Sequence, residues 1–209
     1  MRPPQSWQSA RATLAIAGVT AAAWLLAALS GQDDLIAVWG GFTPALAGAG
    51  SLAAALATPL TATLIHAGLV HLGFNLLMLL FCGRSVETII GGRGLVILYV
   101  VGAYFAAGAQ YLAGPHQVVP MVGASGAISA VVGAYAILFG RNRVRVANPQ
   151  LARLLHALWL AAAWVVLQLM VGIVVGLQGP QVAIAAHIGG FIAGLGLAMP
   201  LLLLRWRGA

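Results

Sequence analysis

The amino-acid sequence predicts an all-α membrane protein: a single domain of six transmembrane helices with both termini on the cytoplasmic side. Three observations lead there. Of 209 residues, 62% are apolar and only 6% are charged, against about 25% charged in an ordinary soluble domain, so this composition cannot clothe a water-facing surface. Six apolar runs are each long enough to cross a bilayer, which takes about 20 helical residues. When those runs are threaded alternately, all ten basic residues fall on one side, as the positive-inside bias requires.

The elements follow in order. Residues 12–30 form the first run. Arg2 and Arg11 precede it and Ala28-Leu29-Ser30 closes it, which resembles a signal peptide. A signal core is about 7–15 residues, so this longer run is expected to remain as a span. Residues 31–59 contain Pro44 and the glycines Gly40, Gly41, Gly48 and Gly50, which disfavour one continuous helix. They are expected to be an outer loop lying in the interface, with short helical pieces. Further spans are expected at residues 60–82, 94–113, 121–140, 154–177 and 181–204, all helical because the bilayer core offers backbone groups no water. Arg84 and Arg93 lie between spans two and three, Arg141, Arg143, Arg145 and Arg153 between four and five, and Arg205 and Arg207 after six. Asp33 and Asp34 fall on the outer side.

The net charge of +7 comes from arginine alone, with no lysine. Basic chains often bind nucleic acid, but these arginines sit at the ends of apolar runs, so topology explains them and no nucleic-acid partner is expected. Arginine without lysine, with abundant alanine and glycine, also hints at a GC-rich bacterial genome. The lone Cys82 excludes an intrachain disulfide and indicates no redox role.

Strongly polar side chains inside spans are costly and usually functional. His66, His71 and Asn75 in span two, Ser125 in span four and His187 in span six stand out. His71 lies 13 residues before Arg84, Ser125 16 before Arg141 and His187 18 before Arg205. At about 1.5 Å per residue these are heights of roughly 20, 24 and 27 Å, in the outer half of a core about 30 Å thick. Each has an ordinary structural role open to it: a serine bonded back to its own helix, a packed histidine, an asparagine joining two helices. The setting of Ser125 changes the balance. It lies in Gly123-Ala124-Ser125-Gly126, one turn after Pro120, at a helix start where N–H groups lack intrahelical partners and could serve an oxyanion. Gly190 and Gly194 near His187, and Gly126, Ser129, Ala130 and Gly133 near Ser125, form small-residue faces that let helices approach closely. A short Ser–His hydrogen bond needs that approach.

Taken in order, His66-x4-His71-x3-Asn75, Gly83-Arg84-Ser85-Val86-Glu87, Gly123-Ala124-Ser125-Gly126 and Ala186-His187-x2-Gly190-x3-Gly194 resemble the rhomboid family of intramembrane serine proteases, in its bacterial six-span form. The resemblance covers roughly residues 60–200. It implies Ser125 as nucleophile and His187 as general base. It implies His71 and Asn75 beside the oxyanion, with the Ser125 backbone N–H and Gly123, and His66 as a support. Glu87 matches a structural residue on the cytoplasmic side, together with Arg84, and Phe74 a position at a lateral substrate gate. It implies transmembrane proteins as substrates, cut near the outer face, and a place in the bacterial inner membrane. No cofactor and no metal are implied. Two departures stand out. Ala57-Thr58-Pro59 occupies the place where the family often has Trp-Arg, and Ser129 the place where many members stack a tyrosine on the base.

The scarcity of acids bears separately on mechanism. A Ser-His-Asp triad needs a carboxylate beside the histidine, and only Asp33 and Asp34 are expected on the outer side, so a Ser–His dyad is the consistent assignment. Nor does the serine sit in the elbow of soluble hydrolases, since Ala127 replaces the required second glycine. Two other classes fit less well. A haem protein would place histidine pairs on facing spans, whereas His66 and His71 on one helix would point about 140° apart. A coupled transporter would carry carboxylates at mid-membrane, where none are expected. His116 and His156 read as solvent or interface residues.

Overall fold

The computed structural model describes residues 10–140, 146, 148–176 and 183–207. Among them the regular structure is helical apart from one isolated backbone bridge, Phe42 with Met121. Helix α1 spans Arg11–Ser30. Three short helices follow, α2 (Asp33–Gly40), α3 (Pro44–Gly48) and α4 (Leu52–Thr61). They are the pieces expected between the first two spans. Helix α5 covers Leu69–Met78, passes through a π turn at Leu79–Gly83, and continues as α6 (Arg84–Ala113). Then come α7 (Ser125–Phe139), α8 (Pro149–Gly176) and α9 (Ile184–Arg207). The multi-pass membrane character is plain from the long apolar helices. Four stretches of the described residues are long and apolar enough to cross: Arg11–Ser30, Leu69–Ala113, Pro149–Met170 and Ile184–Trp206.

The second of these is 45 residues long and is not one rod. Gly91 has φ +79° and breaks the helix, a left-handed conformation that glycine adopts without cost from a Cβ. Gly91 lies against the Arg205 side chain at the far end of α9. By contrast, Gly123 lies against His71, and Gly126 against Ala106 and Ala186. Residues 71, 106, 123–126 and 186 therefore share one end of the bundle, and residues 91 and 205 the other. The run folds back on itself at Gly91, with Arg205 donating to the Thr88 carbonyl there.

Helices α6, α7 and α9 form the centre, around Leu95, Leu98, Val131, Ala134, Ala198 and Leu201. Helix α1 joins from outside through Glu87, which is 4% exposed. Its carboxylate accepts the Ala12 and Thr13 N–H groups at 2.9 and 2.8 Å and the Thr13 hydroxyl at 2.7 Å. A negative charge at a helix N-terminus meets both orphan donors and the helix dipole, and α1 has no side-chain cap of its own.

Several expected boundaries move. Span two does not begin at Leu60: Leu60 and Thr61 end α4, Ala62–Leu64 form a 3-10 turn, and residues 65–68 are non-helical. The cause is a competing bond, since the Ala62 carbonyl accepts the N–H of Gly123 at 2.9 Å. The helix expected as span four, α7, starts at Ser125 rather than Met121, because Met121 exchanges two backbone bonds with Phe42 and Gly123 has φ +114°. Helix α8 starts five residues before the expected Leu154. Pro149 leads it, and Asn148 Oδ1 accepts the Gln150 N–H at 2.8 Å, a favoured cap followed by a proline at the first helical position. Helix α9 begins at Ile184 and runs past Leu204 to Arg207. Leu177, Gln181, Arg2, Arg141, Arg143 and Arg145 lie outside the described residues.

Candidate active site

The end of the bundle shared by residues 71, 123 and 186 gathers the polar side chains. Ser125 is the first residue of α7, and the first intrahelical bond runs from the Ile128 N–H to the Ala124 carbonyl at 2.9 Å. The N–H groups of the first turn have no intrahelical acceptor and lie at the positive end of the helix dipole. Two contacts hold the entry to this helix: Gly123 N–H to Ala62 O, and Ala124 N–H to His66 Nε2 at 3.4 Å. His66 reaches Ala124 because residues 65–68 leave the helix path. It is therefore not on span two as expected, and its ring lies 5.0 Å from that of His71 instead of pointing away from it.

His187 sits in the first turn of α9, with Nε2 2.7 Å from Ser125 Oγ. This proximity rests on the small-residue faces. A Cβ on Gly190 would collide with the Gly126 carbonyl, one on Gly194 with the Ala130 carbonyl, and one on Gly133 with the Phe191 carbonyl. The two backbones are in contact, as small residues allow. On its other side the ring meets α8: His187 Nδ1 lies 2.8 Å from Gln168 Oε1. Trp164 Nε1–H donates to the His187 carbonyl at 3.2 Å, and its ring stacks on Phe191 at 4.7 Å.

The remaining expected residues divide. His71 closes over Gly123, whose added Cβ would fall 2.7 Å from the imidazole, so it stands beside the loop leading to Ser125. Asn75 is buried, and its amide donates to the His71 carbonyl on its own helix at 2.9 Å. Ser129, in the place of the stacking tyrosine, is bonded back to the Ser125 carbonyl at 2.8 Å. Phe74 is exposed on the outside of α5. His156, expected at solvent or the interface, is instead buried beside Gly140. His116 is exposed.

Gln168 was not among the expected site residues. It is the one amide in the apolar run 154–177, so the rule that selected Asn75 selects it too. Its partner across the membrane interior leaves no mark in the sequence. It fills the place a triad carboxylate would occupy, as a neutral amide. Asp33 and Asp34 are exposed in the first turn of α2, and Glu87 is bonded to α1.

A Rhomboid domain matches residues 53–204. The chain is 30% identical to Rhomboid-related protein 2 of Mus musculus over 135 residues, covering 64% of this chain and 44% of that protein. It is 32% identical to Rhomboid protease GlpG of Haemophilus influenzae over 138 residues, covering 64% and 63%. To Rhomboid protease GluP of Bacillus subtilis it is 33% identical over 84 residues, covering 40% and 16%. The chain thus spans less than two thirds of the length of these relatives.

Proposed function

The chain belongs to the rhomboid family, and from that premise we propose that it is an intramembrane serine endopeptidase using Ser125 as nucleophile and His187 as general base. The observation that carries this is the 2.7 Å approach of His187 Nε2 to Ser125 Oγ, within the range a nucleophile–base pair requires. His187 takes the hydroxyl proton as Oγ attacks the scissile carbonyl carbon. The resulting oxyanion is met by the Ser125 backbone N–H and by the side chains of His71 and Asn75. As the C–N bond breaks, the proton passes from His187 to the leaving amine, leaving an acyl ester on Ser125. Water attacks that ester, giving its proton to His187, and the carboxylic acid departs as Oγ recovers its proton. No step uses a metal or cofactor.

The helices act as one membrane domain crossing six times. The run Leu69–Ala113 supplies two passes by turning at Gly91, and α7 supplies a short one. Its 15 residues rise only about 22 Å, so Ser125 lies below the outer limit of a core about 30 Å thick. With the arginine ends cytoplasmic, both termini are inside and the site opens toward the outer face of a bacterial inner membrane. Substrates are transmembrane proteins that unwind there, since a helical peptide bond is committed to its own hydrogen bonds.

Ser125→Ala and His187→Ala are each expected to take cleavage of a reconstituted single-span substrate below detection while circular dichroism stays that of the wild type. Members of such a pair act as a unit, with single losses of about 10⁶. Substantial cleavage by Ser125→Ala would overturn the assignment.

A further inference from the structure

We propose that Gln168 is a positioning residue that holds His187 in the tautomer able to act as a base, an inference that rests on the Ser125–His187 mechanism above. For Nε2 to take the Ser125 proton it must be the unprotonated nitrogen, so the ring proton must sit on Nδ1. A carbonyl oxygen only accepts. With the amide oriented as it is, Oε1 toward the ring, the 2.8 Å contact between Nδ1 and Gln168 Oε1 is satisfied when Nδ1 carries the proton, and the opposite tautomer would set two lone pairs against each other unless the amide turned to present its NH2. Gln168 is 6% exposed, and leaving a buried amide unpaired is costly, so the contact weighs on the tautomer from both sides.

The surroundings sharpen the assignment. Ser129 stands where a stacking tyrosine would restrain the imidazole, and it is turned back to its own helix. What restrains the ring comes instead from α8, with Trp164 on the backbone of His187 and Gln168 on its side chain. Helix α8 packs chiefly on α9, so its side chains reach the base directly. Being neutral, the amide orients the ring but supplies no charge to the imidazolium. Its removal should then cost less than the loss of Ser125 or His187 themselves.

The test compares Gln168→Met, near-isosteric and without the acceptor, with Gln168→Glu, which keeps an oxygen at the same reach. Gln168→Asn is the second variant that withdraws the acceptor, and it retains polarity should the methionine protein fail to fold. The methionine and asparagine proteins are expected to lose roughly tenfold to a hundredfold in kcat with KM unchanged, and the glutamate protein to recover most of it. The ¹⁵N spectrum of the His187 ring, recorded in a Ser125→Ala background, is expected to move from Nδ1–H toward Nε2–H in the methionine and asparagine proteins. That spectrum reads the tautomer whether or not the wild type cleaves anything, so failure of the protease mechanism and failure of this inference are distinguishable. Wild-type kcat in both the methionine and the asparagine variants, or an Nδ1–H population unchanged by either, overturns the role of Gln168.

Discussion

At the residue scale the site is built from uncharged groups. The three acidic side chains of the chain lie elsewhere, two on α2 and one bonded to α1, and in the proposed mechanism His71 and Asn75 serve as oxyanion donors. His71→Ala and Asn75→Ala are expected to slow turnover by up to about 10²–10³, the loss of one oxyanion donor, measured as kcat on a reconstituted substrate with thermal stability in parallel. A collapse of stability alongside activity would instead assign Asn75, bonded to the His71 carbonyl, to holding α5 together. Asp33→Asn with Asp34→Asn should leave turnover almost unchanged, since both are exposed at the start of α2. A loss comparable to that of His187→Ala would restore a carboxylate to the mechanism.

At the element scale the catalytic approach depends on α7 and α9 touching backbone to backbone. Gly194→Ala places a Cβ against the Ala130 carbonyl, a main-chain atom that cannot swing away. Overpacking of this kind typically costs about 1–3 kcal/mol, so a lower unfolding midpoint and a reduced kcat are expected together. Glu87→Gln removes the charge that caps α1 and should lower stability by about 1–2 kcal/mol while the geometry at Ser125, at the other end of the bundle, keeps its cleavage rate at permissive temperature. The small-residue faces were legible because glycine is costly inside a helix, and its recurrence one turn apart at Gly190 and Gly194 signals a neighbouring backbone. Ser125 and His187 were legible because polar groups are rare in apolar runs. The start of α5 was not, since apolar periodicity cannot register that the Ala62 carbonyl pairs with Gly123, and this moved His66 off its expected helix. Gln168 meets the criterion that picked out Asn75, but its pairing with His187 on another helix is not written in the sequence.

At the scale of the whole molecule the chain works as a membrane device with a polar end and an apolar body. The hairpin at Gly91 and the short α7 bring the first turns of α5, α7 and α9 to one level, where unpaired helix N-terminal donors and the Ser–His pair meet. On the proposed mechanism a substrate segment reaches that level and opens its own hydrogen bonds. Replacing a natural substrate's outer boundary, rich in glycine or proline, by a leucine helix of equal length is therefore expected to slow cleavage markedly. Equal rates would show that local unwinding does not select the substrate. The expectation that the site faces outward rests on arginine positions alone, because charge placement records topology independently of packing.

The pairing of Ser125 with His187 is tested most directly by treating the detergent-solubilised protein with a serine-reactive fluorophosphonate and locating the adduct by mass spectrometry. A single adduct on Ser125 is expected, absent from Ser125→Ala and formed far more slowly in His187→Ala, because the hydroxyl is activated only through the 2.7 Å contact with Nε2. Labelling elsewhere in the chain, or labelling of Ser125 at the same rate without His187, would contradict it.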